Sequence, residues 1–282
     1  MSEKILVTGG TGNTGAQVVK RLYEMGHEPI VASRSGAKTL EDVEAVKFDW
    51  LDKNTYAKAL EGIEAVYLVA PALVAEPGSI MSDFINIAKK ANVKRFVLLS
   101  ASLIDCGGPA MGQVHQKLAE DKQIEWCVLR PSWFMQNFSK QQHLATIKDE
   151  GKIYAATEDG KIAFIDADDI AEVAAFALTV ENSFNDDLIL TGPEALSYGQ
   201  AADIISSAID KPVSHIKLTV EELTQRWQSF GLDEGYAQML SGMDGVIKDG
   251  VEDRTTNSVL NITGKPPRSL AQFVQQNMGV WH

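Results

Sequence analysis

The stretch KILVTGGTGNTGAQVVKRL, from Lys4 to Leu22, decides the fold. A short apolar run ends at Gly9, Gly10, Gly12 and Gly15, and apolar residues then recur at helical spacing until Gly26. A strand that turns at once into a helix needs bare backbone there. The chain must bend sharply, the helix must pack close to the sheet, and a Cβ obstructs both. Gly9, Gly12 and Gly15 read as G-x-x-G-x-x-G, while Gly10, Gly12 and Gly15 read as G-x-G-x-x-G.

Outward from this junction, strand-like and helix-like segments alternate. EPIVASRS, AVKFDW, AVYLVAP, KRFVLLSAS and EWCVLRPSW read as strands, and NTYAKALEGI, MSDFINIAKKANV and HQKLAEDKQ as helices between them. Strands that are continuous apolar runs belong to a parallel sheet covered on both faces. The expected fold is α/β: a Rossmann-like doubly wound parallel sheet with a smaller, mostly helical C-terminal substrate region. The sheet domain is expected over 1–190 and the cap over 191–282, interleaved with 133–165. Four S/T/D-x-x-E/Q pairs predict helix starts: Asp169 with Glu172, Ser197 with Gln200, Thr219 with Glu222, and Ser269 with Gln272.

At 282 residues, 45% hydrophobic and 23% charged, the chain has ordinary globular composition. Its net charge of −12 argues against nucleic-acid binding, and any anionic ligand must be held by a local site against that field. Cys106 and Cys127 form no C-x-x-C pair, and His27, His143, His215 and His282 show no ligand spacing, so neither a disulfide framework nor a metal site is expected. MSEKILVTGG has no signal-like apolar core, and no apolar run approaches the ~20 residues of a membrane span. The expectation is a cytoplasmic protein, monomer or homodimer, with a small-molecule substrate and no membrane partner.

The glycine loop, placed between strand and helix, predicts a dinucleotide whose diphosphate lies on exposed amides and the positive end of the helix. An Asp or Glu about 20 residues further on would select the ribose hydroxyls of NAD(H). That position here reads ASRS, with Ser33 and Arg34 and no acid. A guanidinium suits a 2′-phosphate, so NADP(H) is favoured over NAD(H), against the alternative of a merely solvated Arg34. Asp49 and Trp50 end the third strand, where adenine would lie. Ala70, Pro71 and Ser100 follow the fourth and fifth strands along the carboxyl edge where such sheets bind ligands.

These residues resemble the NmrA-like group of atypical short-chain dehydrogenase/reductases, through VTGGTGNTG, the strand-end Arg34, FDW, AVYLV, RFVLLSAS, LRPSWFMQN and GKIAFIDADDIAEVAAFALT. Within the group, FDWLDKNTY, MGQVH and LRPSWFMQNF are most similar to the festuclavine and agroclavine dehydrogenases of ergot-alkaloid synthesis. Triphenylmethane and quinone reductases are more distant relatives. The resemblance implies that Thr11, Gly12, Asn13 and Thr14 contact the phosphates and Arg34 the adenosine phosphate. It places Ser100, His115, Pro131, Ser132, Trp133 and Phe134 around the nicotinamide.

Ordinary members of the superfamily use a Tyr-x-x-x-Lys pair to protonate the oxygen of a reduced ketone. The corresponding segment, DCGGPAMGQVHQKLAED, has no Tyr, and Met111 and His115 fall at that spacing. An iminium accepts hydride with no proton supplied in the same step, and a quinone or cationic dye needs little acid help, so orientation can carry the catalysis. His115 is the titratable candidate for a proton donor, or else holds a loop or the nicotinamide. Ser100 would bond either substrate or cofactor amide. Trp133, Phe134 and Met135 form an aromatic wall or inner packing; Trp227, Phe230 and Tyr236 face a ligand or pack. The expected function is NADP(H)-dependent hydride transfer to a small, flat or cationic acceptor. The alternative is a non-catalytic NADP(H)-binding redox sensor.

Overall fold

The structure is a computed structural model that describes residues 3–282. The chain divides into two compact units. One holds the residues up to Pro131 together with Ala167–Ile189, and the other holds Ser132–Asp166 and Leu190–His282.

In the first unit, strands β1 (Lys4–Thr8), β2 (Glu28–Ser33), β3 (Glu44–Lys47), β4 (Ala65–Leu68), β5 (Arg95–Leu99) and β6 (Glu125–Pro131) alternate with helices α1 (Gly15–Glu24), α2 (Tyr56–Ala59), α3 (Gly78–Lys90) and α4 (Met111–Glu120). The other unit begins with α5 (Gln136–Ser139), α6 (Leu144–Glu150), β7 (Lys152–Ala155) and β8 (Lys161–Ile162). The chain then supplies α7 (Ala167–Thr179) and β9 (Asp186–Leu190). The main sheet has the order β3-β2-β1-β4-β5-β6-β9. The β1–β2, β1–β4, β2–β3, β4–β5 and β5–β6 ladders are parallel. β9 runs the same way beside β6: the Asn185 N–H donates to the Trp126 carbonyl, and further along the Ser132 N–H donates to that of Leu190.

The uninterrupted apolar runs follow from burial on both sides. Ile5, Leu6 and Val7 are all buried, as are Val66, Tyr67 and Leu68. On one face, Met81 and Phe84 of α3 and Val114 and Leu118 of α4 pack on Leu6, Leu68, Phe96 and Val128. α1 and α7 lie side by side. Where the sequence suggested one helix over NTYAKALEGI, a 3-10 turn at Lys53–Thr55 leads into the single turn of α2. The Asp52 side chain caps that turn by accepting from the Asn54 N–H.

The second unit continues with β10 (Leu196–Ser197), α8 (Tyr198–Ile209), β11 (Ser214–Lys217), α9 (Val220–Ser229), α10 (Glu234–Gly245), α11 (Ser258–Thr263) and α12 (Leu270–Asn277). β8 pairs antiparallel with β10, and β7 pairs parallel with β11. Its core gathers Phe138, Phe164, Tyr198, Ile205, Phe273 and Trp281. The buried Trp281 donates its indole N–H to the Phe138 carbonyl at 2.8 Å. Ser197, Thr219 and Ser269 head complete capping boxes with Gln200, Glu222 and Gln272. The fourth expected start is corrected. α7 opens at Ala167, so Asp169 lies in its first turn, where its charge favours the amino end of the helix.

Two buried groups give tests of this packing. Arg95, 9% exposed, donates to Leu178 and Val180 carbonyls at the end of α7 and to Glu125 on β6. Arg95→Ala strands those carbonyls without donors and should lower unfolding free energy by about 3 kcal/mol in urea melts; a loss below about 1 kcal/mol contradicts the role. His143, 4% exposed, lies against Phe138 and Tyr198 with its Nε2 unpartnered. Burial, with His215 and Arg226 nearby, pushes its pKa down to about 3. The unfolded chain therefore binds a proton there first, and the stability this group supports above pH ~6.5 is lost as pH falls towards 3. His143→Leu should flatten the pH dependence of unfolding between pH 6 and 4 by up to about 1.4 kcal/mol per pH unit; an unchanged slope refutes the assignment.

Candidate active site

At the carboxyl end of β1, the Thr8 hydroxyl donates to the Tyr67 carbonyl at 2.9 Å and accepts from the Val69 N–H at 2.8 Å, pinning β1 to β4. The loop then folds on itself: the Gly12 N–H donates to the Gly9 carbonyl at 2.8 Å, and the Gly10 N–H to Ala32 on β2 at 3.3 Å. A Cβ on Gly15 would stand 2.2 Å from the Gly9 carbonyl oxygen, and one on Gly10 would stand 2.9 Å from that of Val7. Gly9 has φ +61°. Gly12 differs, being exposed, with only the Gly9 oxygen at 3.1 Å from where its Cβ would be. Gly15 and Gly10 thus shape the turn, while Gly12 keeps its outer surface low. Among the described residues, the Thr11 and Asn13 N–H groups have no protein acceptor, and the first turn of α1 carries neither an acidic residue nor a side-chain cap from Thr14. Unused donors, the positive helix end and the low Gly12 surface together fit a diphosphate.

β2 ends beside this cradle. The buried Ser33 accepts the Ala37 N–H on its hydroxyl at 3.1 Å and the Phe48 N–H on its carbonyl at 2.9 Å, holding the turn that follows. Arg34 comes next, exposed and without an ion pair among the described residues. No carboxylate ends β2. The half-buried Asp49 accepts the Leu51 N–H at 2.9 Å. Trp50 is packed rather than presented. Its ring sits edge-on to Phe48 and Phe84 at 4.9 and 5.1 Å, and its indole N–H bonds to the Val69 carbonyl at 3.1 Å. It braces the wall under Ala70 and Pro71, both half-buried, instead of offering a free ring face.

Ser100 follows β5, and its N–H donates to the Leu129 carbonyl at 2.8 Å. Its hydroxyl is buried and unpartnered, which suits a ligand atom at this strand end. Pro131, also buried, ends β6. Gly9–Gly15, Ser33, Arg34, Ala70, Pro71, Ser100 and Pro131 therefore share one carboxyl edge.

His115 does not join them at that edge; the structure places it in the packing, with its buried Nδ1 without a partner. It lies one helical turn below Met111, 2% exposed, with its ring 5.7 Å from that of Trp126 at the opposite, amino end of β6. Burial lowers its pKa, with Asp187 opposing. The four-residue spacing that puts a Lys beside a Tyr in ordinary relatives here carries the imidazole down into the packing. Within electrostatic reach of His115 lies Arg130, buried and bonded to Asp187 at 2.8 Å, Asp105 at 2.5 Å and the Ser102 carbonyl at 2.9 Å. That cluster holds the loop after β5.

In the second unit, Met135 is fully buried, whereas Trp133, Phe134 and Trp227 stay half-buried. Trp227 meets Phe230 edge-on at 6.3 Å. Phe134 bridges to Ile165. The residue that sequence reasoning missed is Asp244, in the last turn of α10. It accepts the Ala156 N–H at 3.3 Å, and the Trp133 indole favours its ionised form. Burial outweighs both and pushes its pKa up to about 6. The one signal in the sequence was a charge seven residues after the buried Ala237, on the inward helical face. No group of His, Cys, Asp and Glu able to hold a metal occurs among the described residues, and no helix there is long and apolar enough to cross a membrane.

The comparisons agree with this fold. The oxidoreductase YesF of Bacillus subtilis is 42% identical over 98% of this chain and 96% of its own. Agroclavine dehydrogenase of Claviceps fusiformis is 40% identical over 98% of each chain. The Escherichia coli NADPH-dependent quinone oxidoreductase QOR2, solved with NADPH, shares the fold with a TM-score of 0.82 at 24% identity, over 96% of this chain and 99% of that one. The NmrA-like family model matches residues 1–263. With its sheet order, its glycine cradle and these relatives, the chain belongs to the NmrA-like family.

Proposed function

We propose that this oxidoreductase is an NADP(H)-dependent reductase of a small, flat or cationic organic acceptor, an imine or iminium, a quinone or a similar compound. The observation that carries the reading is the unpaired Arg34 beside the glycine cradle, with no carboxylate at the end of β2. A carboxylate there would repel a 2′-phosphate, whereas the guanidinium fork can take two of its oxygens. The reduced nicotinamide supplies the hydride. The chain binds and orients: amides around Thr11–Thr14 hold the diphosphate, Arg34 the 2′-phosphate, and the Ser100 hydroxyl either the carboxamide or the acceptor.

With His115 packed at 2% exposure and no Tyr on α4, the Tyr-Lys pair that would protonate a ketone oxygen is not in place. An iminium carbon that receives hydride becomes an amine with no proton required in the same step. Such an acceptor suits a site that works by positioning. The protein is proposed to work in the cytoplasm, as a monomer or homodimer.

Arg34→Ala should weaken NADPH binding by about ten- to a hundredfold in calorimetric titrations, with NADH affinity kept within about twofold. Equal losses for both refute the 2′-phosphate assignment. Following NADPH oxidation with a cyclic iminium, a quinone and a triphenylmethane dye should show turnover of at least one, and the iminium rate should vary little from pH 6 to 8. No turnover with any of them overturns the reductase reading in favour of a redox sensor.

A further inference from the structure

We propose that Asp244 is a specificity-determining residue: its carboxylate, with the Trp133 indole beside it, takes the positive charge of an organic cation bound to the second unit. The proposal rests on the reductase reading for what happens to that ligand, but its structural grounds are independent.

A carboxylate at this place has no structural benefit large enough to explain it. It sits in the last turn of α10, where the negative end of the helix disfavours an anion. Among the described residues no Lys, Arg or His pairs with it; the nearest cation along the chain, Lys248, faces Glu158 at 3.7 Å. The groups that meet it from the surrounding elements are the Ala156 N–H after β7, the Trp133 indole after β6 and, within electrostatic reach on α8, the Tyr198 hydroxyl. All are neutral. Half-buried carboxylates removed from most of their water gain from a cation, and among the described residues this one has none.

Two neighbours in the chain point the same way. Ser241, three residues earlier on the same buried face of α10, and Thr157, next to Ala156, are 0% exposed, and their hydroxyls have no partner. Two buried, unsatisfied hydroxyls, one a helical turn from Asp244 and one next to its Ala156 donor, suit a ligand better than packing alone. The half-buried Trp133 adds a ring face for a delocalised cation. Because the pKa is raised, a cation that needs the ionised form must compete with a proton below pH ~6.

The test titrates the NADP⁺-loaded full-length protein with N-methylacridinium, a permanent flat cation, and with menadione, a neutral flat compound, from pH 5 to 8. In the wild type, affinity for the cation should climb about tenfold per pH unit up to pH ~6 and then level, while menadione affinity stays flat. Asp244→Asn keeps an acceptor for the Ala156 N–H. It should bind the cation about tenfold or more weakly at pH 7.5, without pH dependence, and bind menadione as the wild type does. It should also melt higher than the wild type at pH 7.5, with the gap closing by pH 4, because a carboxyl with a raised folded pKa costs stability as pH rises from its unfolded value of ~4 to the folded value of about 6. Unchanged cation affinity in Asp244→Asn, equal loss of both ligands, or a wild-type affinity for the cation that is absent or independent of pH would each overturn the proposal. The reductase reading fails separately: it is lost if the wild type does not bind NADP⁺ or oxidise NADPH, whatever the dye titration gives.

Discussion

The close approach of Gly15 to the Gly9 carbonyl is the constraint on which the rest of the molecule depends. With only 2.2 Å between that oxygen and a notional Cβ, the first helix can begin where it does only if position 15 has no side chain. The approach brings the amino end of α1 to the carboxyl edge of the sheet, and it leaves the Thr11 and Asn13 amides without acceptors among the described residues. Thr8 and Trp50 then hold the neighbouring strand ends in place, one by bridging β1 to β4 and the other by bonding to Val69. A binding edge is thus assembled from backbone and strand termini, with few side chains committed to it.

Electrostatics make that economy significant. A chain of net charge −12 holds off anions at long range, so a phosphate-bearing ligand must be captured by short-range donors. The loop amides and the unpaired Arg34 are such donors in the first unit. Asp244 in the second unit has the opposite character, an anion without a protein cation. The two units therefore differ in local charge: among the described residues, donors without partners in one and a carboxylate without a cation in the other. His115, the residue that looked most like an acid catalyst, is 2% exposed. Its burial against Trp126 fits a protein that relies on orientation more than on proton transfer.

What could be read from the sequence was whatever short-range geometry determines. The glycine spacing, the alternating strands and helices, and the boxes at Ser197, Thr219 and Ser269 each depend on residues within a few positions of one another, and the structure shows them in place. Asp169 misled because several acids follow one another at the start of α7, and local spacing does not say which residue begins the helix. The packing of Trp50 with Phe48 and Phe84, the descent of His115 into the core, and the small β7–β11 and β8–β10 pairs all come from contacts between distant segments. Asp244 was hidden for the same reason: Trp133 and Ala156 lie about a hundred residues away in the chain. The place of Arg34, directly after β2, was legible because the end of an apolar strand is set by neighbouring residues.

The most direct measurement is backbone amide exchange over residues 9–16, read with and without saturating NADP⁺. The account predicts slowed exchange at Thr11 and Asn13 when the nucleotide is present, since their N–H groups would then be bonded to its phosphates, with Gly12 little changed because its N–H already bonds to the Gly9 carbonyl. Exchange in this loop that is identical with and without nucleotide, while protection appears elsewhere or nowhere, would contradict it.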